Sequence, residues 1–233
     1  DLALIGIMFM IVIAVTLILT RNIFATLATL LVVMLSILSA VGFIGINDIK
    51  LTAPSSVFPT MILTLAVADS IHILVTLLQK FRKEGYKKKE AIIESMRLNF
   101  MPVFITSLTT VVGFLTLNFG EVPPFWHLGN ITAFGMFMAF LFSTTALPAL
   151  MAIFPIWRSA KKEVKEKRAT FYTQLGQLIV RQPIRLTVIS SSFILAMTFL
   201  ALQNVFNDSF VDYFDESVKF RTDSDFINNN LTG

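Results

Sequence analysis

The sequence predicts an all-α protein, a polytopic bundle of transmembrane helices with six spans. Three observations carry that expectation. The 233 residues are 55% hydrophobic and include 23 Phe, with a mean hydropathy of +0.75, whereas soluble domains are about 45–50% apolar. The excess is gathered in runs of about 18–25 residues, the length that crosses a hydrocarbon core of roughly 30 Å at about 1.5 Å per residue. The basic residues, finally, collect in alternate joints between those runs.

The first span is expected over residues 2–20 and the second over 23–46; together they are too long for one crossing, and Arg21-Asn22 marks a tight hairpin turn. Residues 2–20 lack a charged leader and a small-residue cleavage site, so they do not read as a signal peptide. The third span, 57–79, is opened by Pro54 and Pro59. The fourth, 102–119, places Pro102 in its first turn, where a missing N–H is harmless. The fifth, 129–154, is stopped by Pro155 and should kink at Pro148. The sixth, 184–205, opens at Pro183. A membrane-length run begins at once after Asp1, and NNNLTG closes the chain without a structural stop, so a fragment cut at both ends is expected.

Sixteen of the 19 Lys and Arg lie at Arg21, in 80–100 and in 156–185. The positive-inside rule assigns these joints to the cytoplasm of a multi-pass protein of the cytoplasmic (inner) membrane, and 47–56, 120–128 and the acid-rich 206–233 to the outer side. Trp126 and Trp157 fall at the expected interfaces. Residues 87–98, KKKEAIIESMRL, have two readings: an amphipathic helix on an anionic leaflet, or a solvated connector whose lysines only set topology. There are no cysteines, hence no disulfide framework and no thiolate metal site.

The third span carries the one residue that most needs explaining. Asp69 sits in FPTMILTLAVADSIHILVTLL, 58–78, which has no other formal charge. A carboxylate at the centre of a span costs about 2.5–3.5 kcal/mol on insertion scales and is kept mainly for function. His72 and Thr76 follow at i+3 and i+7, on the same helix face. A carboxyl there can take up and release a proton, and His72 can share it; alternatively Asp69 is protonated and only bonds a neighbouring helix, and His72 is a packed, satisfied side chain. In the fourth span Thr106, Ser107, Thr109, Thr110, Gly113 and Thr116 cluster, with Thr106, Thr110 and Gly113 on one face. These hydroxyls either support the relay at Asp69 or, with Gly113, let helices pack closely. Gly135, Ala139 and Ser143 form a small-xxx-small packing stripe in the fifth span. No phosphate loop, metal cluster or nucleophile elbow occurs, so neither an enzyme nor a nucleic-acid binder is expected, and any transport must draw on an ion gradient or another polypeptide.

A hairpin of spans, then ADSIH within a third span, a basic loop, NFMPVFITSLTTVVGFLTL and GNITAFGMFMAFLFSTTALPALMAIFP together resemble the resistance-nodulation-division (RND) superfamily of exporters, in its MMPL-type branch related to the sterol-sensing domain of Patched-like proteins. The tail YFDESVKFR resembles the passage from the seventh helix into a second extracytoplasmic domain. The resemblance implies that 1–155 is a sterol-sensing-like unit of five helices, 156–183 a basic linker, 184–205 the first helix of a second repeat and 206–233 the start of the second periplasmic domain. It also implies proton-driven export with Asp69 as proton carrier, no cofactor beyond the proton gradient, a lipid-like or drug-like substrate, membrane lipids and the missing second repeat as partners, and a possible homo-oligomer. Relatives often carry a glycine before the acid and a second acid or Tyr after it; here Ala66, Ala68 and Ser70 stand around Asp69, so the relay rests on one carboxylate and His72. Two other functions remain open: a sterol-sensing-like lipid-binding or regulatory module, and a SecDF-like accessory of protein translocation.

Overall fold

Helix follows helix along the whole described chain. The computed structural model describes residues 2–120, 122–156, 167–203, 211 and 218–231. Trp157, Arg158, Lys161, Lys162 and Lys165, and most of 204–217, lie outside the described residues. The helices are α1 (Leu2–Thr20), α2 (Ile23–Ile46), α3 (Phe58–Arg82), α4 (Lys88–Leu115), α5 (Pro123–Thr144), α6 (Ala146–Ile153), α7 (Lys167–Arg181), α8 (Pro183–Ala201) and α9 (Lys219–Leu231). Short 3₁₀ turns, Ser55–Val57 and Thr116–Phe119, precede α3 and follow α4. Among the described residues five stretches are long and apolar enough to cross a membrane: Ile23–Ile46, Ser55–Arg82, Lys88–Phe119, Pro123–Ile153 and Pro183–Ala201. The expected first span, α1, is an apolar helix of 19 residues. The chain is thus an all-α multi-pass bundle, and it divides into two units, Asp1–Lys162 and Glu163–Gly233.

In the first unit the hairpin at Arg21-Asn22 forms as the sequence suggests. Arg21 takes a positive φ of 47°, and Asn22 caps α2 by accepting the N–H groups of Phe24 and Ala25 at 2.8 and 3.1 Å. α3 is the most enclosed helix. More than half of its apolar window lies inside the unit, against about a tenth for α4.

Two basic side chains tie the ends of other helices to the α3–α4 turn. Arg82 donates to the Thr20 carbonyl at 2.6 Å and the Arg21 carbonyl at 3.3 Å, past the end of α1. Lys88 donates to the Ala152 and Phe154 carbonyls at 2.6 and 2.7 Å, at the end of α6. Each places positive charge where a helix leaves unpaired carbonyls.

One expectation needs correction and two gain detail. The fourth helix begins at Lys88, not at Pro102, and Pro102 lies inside it. Residues 88–98 are therefore neither a separate surface helix nor a connector. They are good helix formers, Glu90 accepts the Lys87 N–H at 3.1 Å, and Ala91 and Ser95 are fully buried. Pro102 costs the Leu98 carbonyl its helical donor, a loss that membrane helices tolerate. The fifth span is two helices. α5 stops at Thr144 and α6 starts at Ala146, because the Pro148 ring has no N–H to offer the Thr144 carbonyl and crowds it. The segment expected as a linker holds α7.

With no water to exclude, membrane helices associate by close packing and by satisfying polar groups. Small residues provide the approach here: Ala28, Ser36 and Ala40 of α2 lie on one row with Val32, all fully buried. Gly129 and Gly135 mark the tightest contacts of α5. A Cβ on Gly129 would stand 2.5 Å from the backbone carbonyl oxygen of Phe114, and one on Gly135 would stand 2.1 Å from Cδ1 of the buried Ile62. Gly113 has nothing within 4 Å of its would-be Cβ, so the sequence-based packing role does not fit it.

Gly129→Ala should therefore destabilise the bundle by about 1–3 kcal/mol, with Gly135→Ala next, since a side-chain end yields more readily than backbone. Gly113→Ala should be neutral or stabilising by about 0.5–1 kcal/mol. Unfolding of the purified variants in mixed detergent micelles ranks the three.

Candidate functional site

The site is built where α3 and α4 cross. The two run antiparallel, and α4 offers α3 a row spaced by four residues: Ala91, Ser95, Asn99, Val103 and Ser107. Residues four apart form a ridge on a helix surface, which is how this row meets its neighbour. Of the five, all but Asn99 are buried, and Asn99 is half-buried.

Asp69 is buried, 6% exposed, on the enclosed side of α3. The Ser107 hydroxyl donates to its Oδ2 at 3.0 Å, and this bond is itself buried. Further along the same crossing, Ser95 donates to the Ile73 carbonyl at 2.6 Å. Thr76 donates to Asn99 Oδ1 at 3.3 Å, and Asn99 donates to the Ser95 carbonyl at 2.8 Å. Hydrogen bonds thus link the two helices at Asp69 and again one to two turns on. Ser70 beside Asp69 is buried but donates back to the Ala66 carbonyl at 2.8 Å, within its own helix.

The other sequence candidates fall differently. His72 is exposed, and among the described residues no hydrogen bond joins its imidazole to Asp69. Thr76 is half-buried and reaches α4 through Asn99, not Asp69. Thr106 and Thr109 are exposed and Thr110 half-buried; each hydroxyl donates to carbonyls of its own helix, at 2.7–3.0 Å. A threonine that bonds the preceding turn is already satisfied and has no need of a partner helix. The face that meets Asp69 belongs to Ser107, about 100° around the helix from Thr106. Gly135, Ala139 and Ser143 are all buried along α5. Sequence reasoning missed Ser107 as the partner, and with it Ser95 and Asn99; the four-residue spacing of small and polar residues through α4 was the available signal.

Toward the other end of the bundle, Met8 of α1, Thr60, Met61, Thr64 and Leu65 of α3 and Phe114 of α4 line a groove of about 410 Å³. Its wall is almost wholly apolar, and Leu65 precedes Asp69 by about one helical turn. The chemistry available at the site is consequently narrow: one enclosed carboxyl with a hydroxyl donor, near an apolar groove. A carboxyl so placed can take up and release a proton, and a groove so lined can accept an apolar group.

Comparison with known proteins agrees with this character. The chain is 30% identical over 137 residues to the hopanoid transporter HpnN of Rhodopseudomonas palustris, covering 58% of this chain and 15% of that protein. It is 29% identical over 133 residues to the putative membrane protein MJ1562 of Methanocaldococcus jannaschii, covering 57% of this chain and 34% of that protein. It is 24% identical over 180 residues to the probable transport protein MmpL2 of Mycobacterium tuberculosis, covering 75% and 18% respectively. The chain therefore matches between 15% and 34% of the length of these relatives. The MMPL family matches residues 1–186. With an all-α multi-pass bundle, an enclosed intramembrane acid and relatives named as transporters, this chain belongs to the MMPL family of RND-type membrane transport proteins.

Proposed function

We propose that this chain is part of a proton-driven exporter that carries a hydrophobic or amphipathic, lipid-like or drug-like molecule across the cytoplasmic membrane, with Asp69 as the proton carrier. One observation carries the reading: a membrane-length helix encloses a single carboxyl group and a neighbouring helix supplies its hydrogen-bond donor. A carboxyl in hydrocarbon is costly as structural glue, since Ser and Thr also bond across helices. A group that must bind and release a proton while the surrounding helices change packing accounts for the cost.

The substrate class draws support from the apolar groove and from a relative named as a hopanoid transporter. The sidedness draws support from the basic joints, which put the α3–α4 turn at the cytoplasmic face. Ser107 is a positioning residue in this reading. It fixes the carboxyl rotamer and offers a donor to the ionised form. His72, exposed on α3, is left with at most a secondary part. In a two-repeat transporter, ion sites sit near the midplane where repeats meet, so the other half of the relay would lie in a second repeat. The groove also favours a second reading, a sterol-sensing-like module that holds a lipid without pumping it; lipid binding without any dependence on a proton gradient would distinguish it.

Asp69→Asn keeps the shape and can still accept from Ser107, but carries no exchangeable proton. Export by the full-length protein in proteoliposomes with an imposed proton gradient should fall by about a hundredfold or to background, with membrane insertion unchanged; wild-type export by this variant would sink the proposal. Ser107→Ala should lower export about threefold to tenfold, the equivalent of one hydrogen bond of roughly 0.5–1.5 kcal/mol. Ser107→Thr, which keeps the hydroxyl, should recover most of it.

A further inference from the structure

The row of α4 that meets α3 changes character once between its two polar levels. At the first, Ser107 bonds Asp69. At the second, Asn99 accepts from Thr76 at 3.3 Å and donates to the Ser95 carbonyl at 2.8 Å, while Ser95 donates to the Ile73 carbonyl at 2.6 Å. Val103 stands between them in the row. It is 1% exposed, as is Ile73 of α3, and the two share one buried cluster with Leu74 and Leu77. A polar seam along the crossing is thus interrupted by a single apolar layer.

The level at Asn99 lies within reach of water. Arg97 of α4 pairs with Glu94 at 2.7 Å, and Lys80 of α3 pairs with Glu84 at 2.7 Å. Charged side chains of this kind are kept out of hydrocarbon, so both helices meet the aqueous boundary by Arg97 and Lys80. Asn99 and Thr76 follow within about one turn, half-buried, with side chains that bond water as well as each other. From Asn99 to Ser107 the helix rises two turns, about 12 Å. Among the described residues, no neighbouring charge draws water across that interval. His72 is exposed on α3, one turn from Asp69; α1, α2 and α6 have no titratable side chain, α4 has none after Arg97, and α5 has only His127 near its start.

A tightly packed apolar constriction keeps a path dry even where polar groups lie on both sides of it. We propose that Val103, packed in one cluster with Ile73, is the barrier that closes the Asp69–Ser107 site to the membrane face that bears the α3–α4 turn. Pro102 immediately precedes it. The Leu98 carbonyl lacks its helical donor there, so α4 is less restrained at the point where the barrier has to move for the site to open. A group that exchanges protons with one side at a time needs such a closure. The purpose of the barrier rests on the reading of Asp69 as proton carrier. Its existence does not, because Val103 keeps water from Ser107 whatever Asp69 does.

Single thiols in the full-length protein, on a cysteine-free background in membrane vesicles, test the barrier. Silver ion, which travels where water does and reacts with thiols, is applied to each membrane face in turn. Asn99→Cys should react from the face that bears the α3–α4 turn. Ser107→Cys should resist silver from that face while Val103 is in place. It should react roughly tenfold faster or more in Val103→Ser, which exchanges two methyl groups for one hydroxyl, and in the milder Val103→Ala. Val103→Ile keeps the seal and should leave Ser107→Cys protected, and the rate at Asn99→Cys should be the same in every background. Ser107→Cys reacting as fast as Asn99→Cys with Val103 in place would overturn the proposal. So would Ser107→Cys that stays protected in both Val103→Ser and Val103→Ala, or Asn99→Cys protected from both faces. None of these rates depends on whether Asp69→Asn abolishes export, so failure of the barrier and failure of the proton reading are told apart.

Discussion

A carboxyl group inside an apolar layer has to find a polar partner, and here the partner comes from the next helix. Ser107 on α4 donates to Asp69 on α3, and both side chains are buried. The register of the two helices, the enclosure of α3 and the continuation of α4 beyond membrane length all serve this crossing. Ser95 and Asn99 repeat the arrangement nearer the end of α3, so that the pair is bonded at more than one level. Arg82 and Lys88 then fasten the turn between α3 and α4 to the ends of α1 and α6.

The rest of the first unit is what lets that crossing exist. Helices in lipid gain little from apolar burial as such, so contact depends on how closely backbones approach. The small residues of α2 and the glycines of α5 allow that approach, and three clusters of buried side chains run along the unit. Ala25, Ile73, Leu77 and Met151 lie in one, Val33, Ala66 and Ala139 in the next, and Ala40, Ile62 and Ile131 in the third. Asp69 is set on the helix that contributes to all three. In the proposed reading, a change in the charge of Asp69 would be felt in the packing of α3 against these clusters, the coupling that a gradient-driven transporter requires.

Much of this was legible in the residues. The bounds of α1 and α2 follow from the polar Arg21-Asn22 break in an otherwise apolar run. Asp69 was conspicuous because nothing else in its span is charged. The bend before Pro148 was legible too, though the helix breaks at the carbonyl the ring crowds and not at the proline itself. Two features were not. The start of α4 was hidden because KKKEAIIESMRL looks like a charged connector, whereas Lys89, Glu90 and Arg97 are exposed on a helix whose inner face is Ala91 and Ser95. The hydroxyl face of α4 was misplaced by one residue, because threonines are plentiful there and a threonine that bonds its own preceding turn reports nothing about the neighbouring helix. Spacing was the better guide than hydroxyl content.

The central claim is that the Asp69–Ser107 pair is a proton-exchanging site and not a static link. Difference infrared spectroscopy of the reconstituted protein, stepped in pH, tests it most directly. The account predicts a protonated-carboxyl band that appears and disappears with pH, is absent from Asp69→Asn and moves in frequency when the Ser107 hydroxyl is removed. A carboxyl spectrum of Asp69 that does not change with pH, or one indifferent to Ser107, would contradict it.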